Sequence, residues 1–130
     1  MKVYLDSCIL IYLVERHPVY SLQIESLMNS LAQADYFYSA LSRMETLVMP
    51  LRTKDVALHN LYELFFSTQT VLDIKNEIYD QAAKLRADFP TLKTPDAIHL
   101  ATAIFYNCDE FWTNDDRLNK IAPNLVKRIL

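Results

Sequence analysis

The chain contains no glycine, and that omission removes whole classes of fold from consideration. The loops G-x-G-x-x-G and G-x-x-x-x-G-K-[ST] and the elbow G-x-S-x-G all place glycine where backbone must approach a ligand or turn sharply, because a Cβ there would collide. Dinucleotide-binding, nucleotide-hydrolysing P-loop and α/β-hydrolase folds are therefore disfavoured. Turns have to be made with Pro, Asn, Asp and Ser.

Hydrophobic periodicity supplies the positive reading. A length of 130 residues suits a single domain spanning 1–130, and 52% hydrophobic against 22% charged residues marks a globular chain. Lys2–Leu5, Tyr36–Tyr38, Thr70–Leu72 and Glu110–Thr113 are short, β-prone runs, and Val126–Ile129 can add an edge strand. Between them lie helical patterns. Cys8–Glu15 becomes a short buried helix if Asp6 or Ser7 caps it, and Val19–Ala34 carries Leu22, Ile24, Leu27, Met28 and Leu31 on one side. Ser42–Met49 opens on S-R-M-E, a capping-box pattern, and is expected to end before Pro50. Lys54–Phe66 places Val56, Leu58, Leu61, Leu64 and Phe65 on an apolar side, and Asp73 is a candidate cap for a helix reaching Asp88. Thr94-Pro95-Asp96 combines a capping Thr, an early proline and a first-turn acid ahead of an almost wholly apolar helix to Tyr106. A short acidic turn or helix follows at Asn114–Asn119. Strands alternating with helices predict an α/β fold: a twisted, mostly parallel sheet of four to five strands with helices on both faces.

Charge and cysteine usage bound the chemistry. The net charge of -3 argues against a general polyanion binder unless cations or a local basic patch offset the acids. Cys8 and Cys108 lie in apolar contexts without a C-x-x-C pair, so free thiols in a reducing compartment are expected. His17, His59 and His99 are scattered without zinc-ligand spacing. Met1-Lys2 runs directly into a strand-like segment with no signal-peptide pattern, and no segment approaches membrane-span length. A cytoplasmic location is the expectation.

In parallel sheets ligands bind outside the carboxyl ends of the strands, which directs attention to Asp6 and Asp115. Each candidate acid has a plainer reading beside the functional one. Asp6 can be a helix cap or turn acid, Glu45 can complete the S-R-M-E box by reaching back to the Ser42 N–H, and Asp96 can simply favour the helix dipole. Asp115 and Asp116 are adjacent, so their side chains diverge, and Asp115 is the preferred site residue. Taken together, these acids are carried to one sheet edge by several elements. Such a cluster repels itself without a cation, and oxygen-only ligation suits Mg²⁺ or Mn²⁺ rather than Zn²⁺. Mg²⁺ prefers phosphate-bearing partners, so phosphoester chemistry follows.

The segments V-Y-L-D-S-C, S-R-M-E-T-L, T-P-D-A-I-H-L-A-T-A and F-W-T-N-D-D-R-L, in that order and spacing, resemble the PIN-domain nucleases, and most closely the VapC-like toxins of toxin–antitoxin pairs. The resemblance spans nearly the whole chain and implies a PIN-like fold. It implies catalytic roles for Asp6, Glu45, Asp96 and Asp115, with Asp6, Asp96 and Asp115 as metal ligands. Ser7 matches the small hydroxyl residue after the first acid, and Thr113 matches the hydroxyl of T-x-D and is expected to orient the last acid. Asp116 lies outside the pattern, as an adjacent acid able to substitute in part. The implied activity is Mg²⁺- or Mn²⁺-dependent cleavage of RNA by water, in a homodimer with a cognate antitoxin, and Thr46–Phe66 is the implied contact segment. Arg43, Lys93 and Arg117 each lie within three residues of a site acid and are the candidate RNA-backbone contacts. The competing expectations are a PIN-type nuclease of RNA maturation outside a toxin pair and a non-catalytic α/β interaction module.

Overall fold

Lys2–Leu5 (β1) forms the centre of a sheet because each of its inward residues is apolar on both faces: Val3, Tyr4 and Leu5 are all buried. Strands covered on two sides read as continuous hydrophobic runs, and this one does. The computed structural model describes all of residues 1–130. After β1 come Ser7–Val14 (α1), Tyr20–Ser30 (α2), Asp35–Ser39 (β2), Ala40–Thr53 (α3), Val56–Ser67 (α4), Thr70–Leu72 (β3) and Asn76–Asp88 (α5). Thr94–Phe105 (α6), Glu110–Thr113 (β4), Asp116–Ile121 (α7) and Val126–Arg128 (β5) complete the chain.

The five strands lie in the order β3-β2-β1-β4-β5, and every pairing is parallel. Side chains alternate between two cores, as the two-residue period of a strand requires. Val3 and Leu5 of β1 and Trp112 of β4 pack under α1 to α4, whereas Tyr4 and Phe111 pack under α5 to α7. Complete burial of a side chain such as Phe111 or Leu100 contributes about 1.5–3 kcal/mol. No helix is long and apolar enough to cross a membrane.

Several local expectations are corrected. The α3 helix begins earlier, with Ser39 as its N-cap residue and the Ser39 N–H donating to Ser42 Oγ at 3.4 Å, and it runs through buried Pro50 to Thr53. Proline removes only one intrahelical donor, and Pro50 is itself buried within the helix. Thr94 is the first residue of α6 rather than its cap, and α5 starts at Asn76 without a side-chain cap from Asp73. On α4 the buried face is Tyr62 and Phe66, while Val56, Leu61 and Leu64 are exposed; Leu22 of α2 is also exposed. Left-handed backbone occurs at Arg16, Lys54 and Asn107, positions where most chains use glycine. Of these only Asn107 is a residue type anticipated for the turns.

Candidate active site

The chain passes from β1 outward to β3 on one side and from β4 to β5 on the other, so the topological switch point lies between β1 and β4. A crevice opens at the carboxyl ends of strands at such a point. Asp6 follows β1 directly. Its N–H continues the sheet ladder to Trp112 O at 3.0 Å, and its carbonyl accepts the first α1 bonds from Ile9 and Leu10. The carboxylate is held just as firmly: Oδ1 accepts from Ser7 N at 2.8 Å, and Oδ2 accepts from Thr113 Oγ1 at 2.7 Å. Asp6 therefore caps α1 and faces the crevice at once, so its two readings are compatible. Fully buried Thr113 also accepts from Asp115 N at 3.1 Å, which makes it the joint between the first and last acids. The resemblance implied only that it orients the last acid, and its bond to Asp6 is additional.

Glu45 does not cap its helix. From the second turn of α3 it reaches across to α1 and α6, where Oε1 accepts from Ser7 Oγ at 2.7 Å and meets His99 Nε2 at 2.5 Å. Burial presses its carboxyl pKa upward, but the His99 hydrogen bond and charge and the Ser7 hydroxyl outweigh that and hold it below the usual range. Ser7 thus links Asp6 and Glu45 through its backbone and its hydroxyl respectively.

Asp96 sits in the first turn of α6 and makes no hydrogen bond that would commit its carboxylate. Its pKa is raised, first by burial and then by the negative charges of Asp6 and Asp115, with His99 and Arg117 offsetting part of the effect. Asp115 caps α7 through Arg117 N at 2.9 Å. The Arg117 guanidinium also forks onto it, with Nε–Oδ1 at 3.0 Å and Nη2–Oδ2 at 2.6 Å, and this hydrogen bonding lowers the Asp115 pKa. Asp116 turns outward to Arg128 at 3.0 Å.

An open cleft of about 550 Å³ is lined by Asp6, Cys8, Tyr12, Asn114, Asp115, Asp116 and Arg117, so Asp116 borders it even though its carboxylate pairs with Arg128. Arg117 also walls a second hollow of about 390 Å³ that contains Asp96, Lys93 and Lys120. Lys93 and Arg117 are accordingly at the acids, whereas Arg43 is not: it pairs with Glu63 of α4 and lies over the Phe66 ring. The Cys8 thiol lines the cleft, and burial followed by the Asp6 charge pushes its pKa up to about 11, so it stays protonated at neutral pH. The residues that sequence reasoning passed over are His99 and Lys120. His99 had a visible signal, since it stands three residues after Asp96 and so shares its helix face.

No three acidic, histidine or cysteine side chains close around one point tightly enough to hold an ion unaided. The donor chemistry nevertheless suits a hard cation. Mg²⁺ retains several waters and takes one or two carboxylates together with phosphate oxygens, so a closed protein cage is not what it requires. The repulsion at Asp96 that His99 and Arg117 leave uncompensated is the feature such an ion would neutralise.

The PIN domain family's sequence profile matches residues 3–123. No curated protein sequence matches the chain. Among solved structures, VapBC2 from Rickettsia felis bound to a promoter DNA fragment superposes with a TM-score of 0.81 at 16% identity, covering 98% of both chains. A toxin–antitoxin complex from Klebsiella pneumoniae gives 0.78 at 23% identity, again covering 98% of each. The sarcin–ricin loop cleaving toxin VapC20 of Mycobacterium tuberculosis gives 0.71 at 16% identity, covering 92% of this chain and 95% of that one.

Proposed function

The chain belongs to the PIN-domain family, and from that premise we propose that it is a divalent-metal-dependent endoribonuclease, the toxin of a VapBC-like toxin–antitoxin pair. In this reading Asp6, Asp96 and Asp115 hold Mg²⁺, for which Mn²⁺ can substitute, and Glu45 accepts a proton from the attacking water. The observation that carries it is the condition of Asp96, a half-buried carboxylate pressed by burial and by the charges of Asp6 and Asp115. Acids from β1, α6 and the end of β4 would not be gathered at a switch point merely for stability, because their mutual repulsion destabilises the fold. When bound, the ion supplies charge neutralisation at the phosphoryl oxygens and a lowered pKa for the water.

The protein's own groups do the rest. Thr113 and the Ser7 N–H keep Asp6 in one orientation, and Ser7 Oγ with His99 keeps Glu45 in another. Lys93, Lys120 and Arg117 bring positive charge to the edge of an acidic cleft, which favours approach of a phosphate backbone. The RNA-cleaving character of the tuberculosis relative supports RNA as the polymer. A partner protein is supported by the largest hollow, about 810 Å³, which lies away from the acids and is lined by Leu13, Leu58, Leu61, Leu64 and Phe65. Exposed Met44, Met49 and Leu51 on α3 offer a further apolar face for a second copy or an antitoxin.

The decisive experiment is cleavage of a mixed cellular RNA pool, with Mg²⁺ or with EDTA, by the wild type and by Asp96→Asn. Magnesium-dependent cleavage by the wild type alone is expected. Cleavage by Asp96→Asn at the wild-type rate, or unaffected by EDTA, would sink the mechanism. Growth arrest on expression, relieved by co-expressing a small neighbouring gene product, tests the toxin assignment separately.

A further inference from the structure

His99 is 1% exposed, yet neither of its ring nitrogens is idle. Nδ1 lies 2.6 Å from the Tyr4 hydroxyl, which is itself 2.8 Å from Ser39 Oγ, while Nε2 lies 2.5 Å from Glu45 Oε1. The Tyr4 ring also packs edge-on against the imidazole, with centroids 5.7 Å apart. The linked groups come from the central strand, the end of β2, α6 and α3, so the imidazole is clamped by the sheet on one side and grips the site acid on the other.

The arrangement distinguishes the two oxygens of Glu45. An ionised carboxylate can only accept, so Nε2 carries the hydrogen of the 2.5 Å contact. Oε1 receives that bond and the one from Ser7 Oγ. Oε2 has no protein partner, and it is not among the buried atoms lacking one, so it is open to solvent. A glutamate on a helix surface ordinarily samples many rotamers, and fixing one oxygen removes most of that freedom before substrate arrives.

We propose that His99 is a positioning residue: held by Tyr4, it fixes Oε1 of Glu45 so that Oε2 alone is left open to solvent, where it receives the proton of the attacking water. The inference rests on the nuclease reading above and adds a residue to it. Its role is distinct from core packing, because an apolar side chain would fill the same space without orienting Glu45.

The test is a double-mutant cycle between His99→Asn and Glu45→Gln, with His99→Gln as the conservative variant. Glutamine can place an N–H near the position of Nε2, whereas asparagine is too short. His99→Asn is expected to lower kcat about 10–100-fold, the usual cost of losing a group that orients a site ligand, with KM nearly unchanged. His99→Gln should recover most of that loss, and His99→Asn should add nothing in the Glu45→Gln background. Thermal melts report folding, and Tyr4→Phe gives a second route that leaves the imidazole present but unclamped, with a smaller fall in kcat. Proton NMR supplies a readout independent of turnover: a downfield, exchange-protected imidazole N–H in the wild type that persists in Asp96→Asn and disappears in Glu45→Ala. Effects of His99→Asn and Glu45→Gln that multiply, or His99→Gln no better than His99→Asn, would overturn the inference while leaving the nuclease reading intact. A wild type without magnesium-dependent cleavage would overturn both.

Discussion

Replacing Thr113 by valine changes one hydroxyl for a methyl group in a fully buried side chain, so the shape of the site is retained while two close hydrogen bonds and a long, weak 4.0 Å contact to Cys8 Sγ are removed. The first is the 2.7 Å donation to Asp6 Oδ2. A bond to a charged acceptor contributes about 1.5–3 kcal/mol, and the lower end applies because Asp6 is only partly buried and water can replace the donor. The second is the 3.1 Å bond accepted from Asp115 N, a neutral pair worth about 0.5–1.5 kcal/mol. The sum is about 2–3 kcal/mol, or a fall of about 10 °C in Tm for a chain of this size. Urea titration and thermal melts in EDTA measure it, with Thr113→Ser as the control that keeps the hydroxyl. Because the same bonds aim Asp6, cleavage should also fall by about 10–100-fold. A Thr113→Val protein that loses less than about 0.5 kcal/mol, the range of an ordinary surface substitution, would refute the claim that this hydroxyl joins the two acids.

Three other outcomes follow from the geometry. The Asp96 pKa is raised by burial and by Asp6 and Asp115, so the stability it contributes is present below its unfolded value and is lost as pH rises through its higher folded value. In EDTA at neutral pH, Asp96→Asn should therefore melt above the wild type, with the gap closing as pH is lowered through the carboxylate range; a lower-melting variant at neutral pH contradicts the repulsion. Arg117→Gln frees Asp115 Oδ2 and leaves Oδ1 with only the capping backbone N–H of residue 117, so it is expected to strengthen Mn²⁺ binding several-fold in calorimetry, and unchanged or weaker binding would mean that the fork does not compete with an ion. Leu64 of α4 is 64% exposed, so Leu64→Glu should alter the fold's own stability by no more than about 0.5 kcal/mol. The same change should abolish co-purification with a partner protein, and retained association would direct the search for the docking face elsewhere.

The order of strands and helices was legible in the residues, because burial on two faces makes β1 continuously apolar and burial on one side gives helices their 3.6-residue period. Asp6 and Asp115 were legible too, since each closes or follows a β-prone run. The exceptions share a physical cause. S-R-M-E reads locally as a capping box, but the Ser39 N–H takes Ser42 Oγ, and Glu45 is drawn away by partners on α1 and α6. Arg43 is near Glu45 in the chain, yet Glu63 across the α3–α4 turn captures it. Leu61 and Leu64 fit an apolar helix stripe, but the sheet lies on the side of Tyr62 and Phe66.

Sequence alone determined the elements, the acids carried at their ends and the family motif in which they occur. Only the tertiary structure decided that β1 lies between β2 and β4, and the long-range contacts of the site depend on that placement. Thr113 bonds to Asp6 across 107 residues, His99 to Glu45 across 54 and to Tyr4 across 95. Local periodicity shows which way a side chain leans from its own backbone. The group it meets is set by which strand becomes the neighbour, and that choice belongs to the packing of the whole sheet.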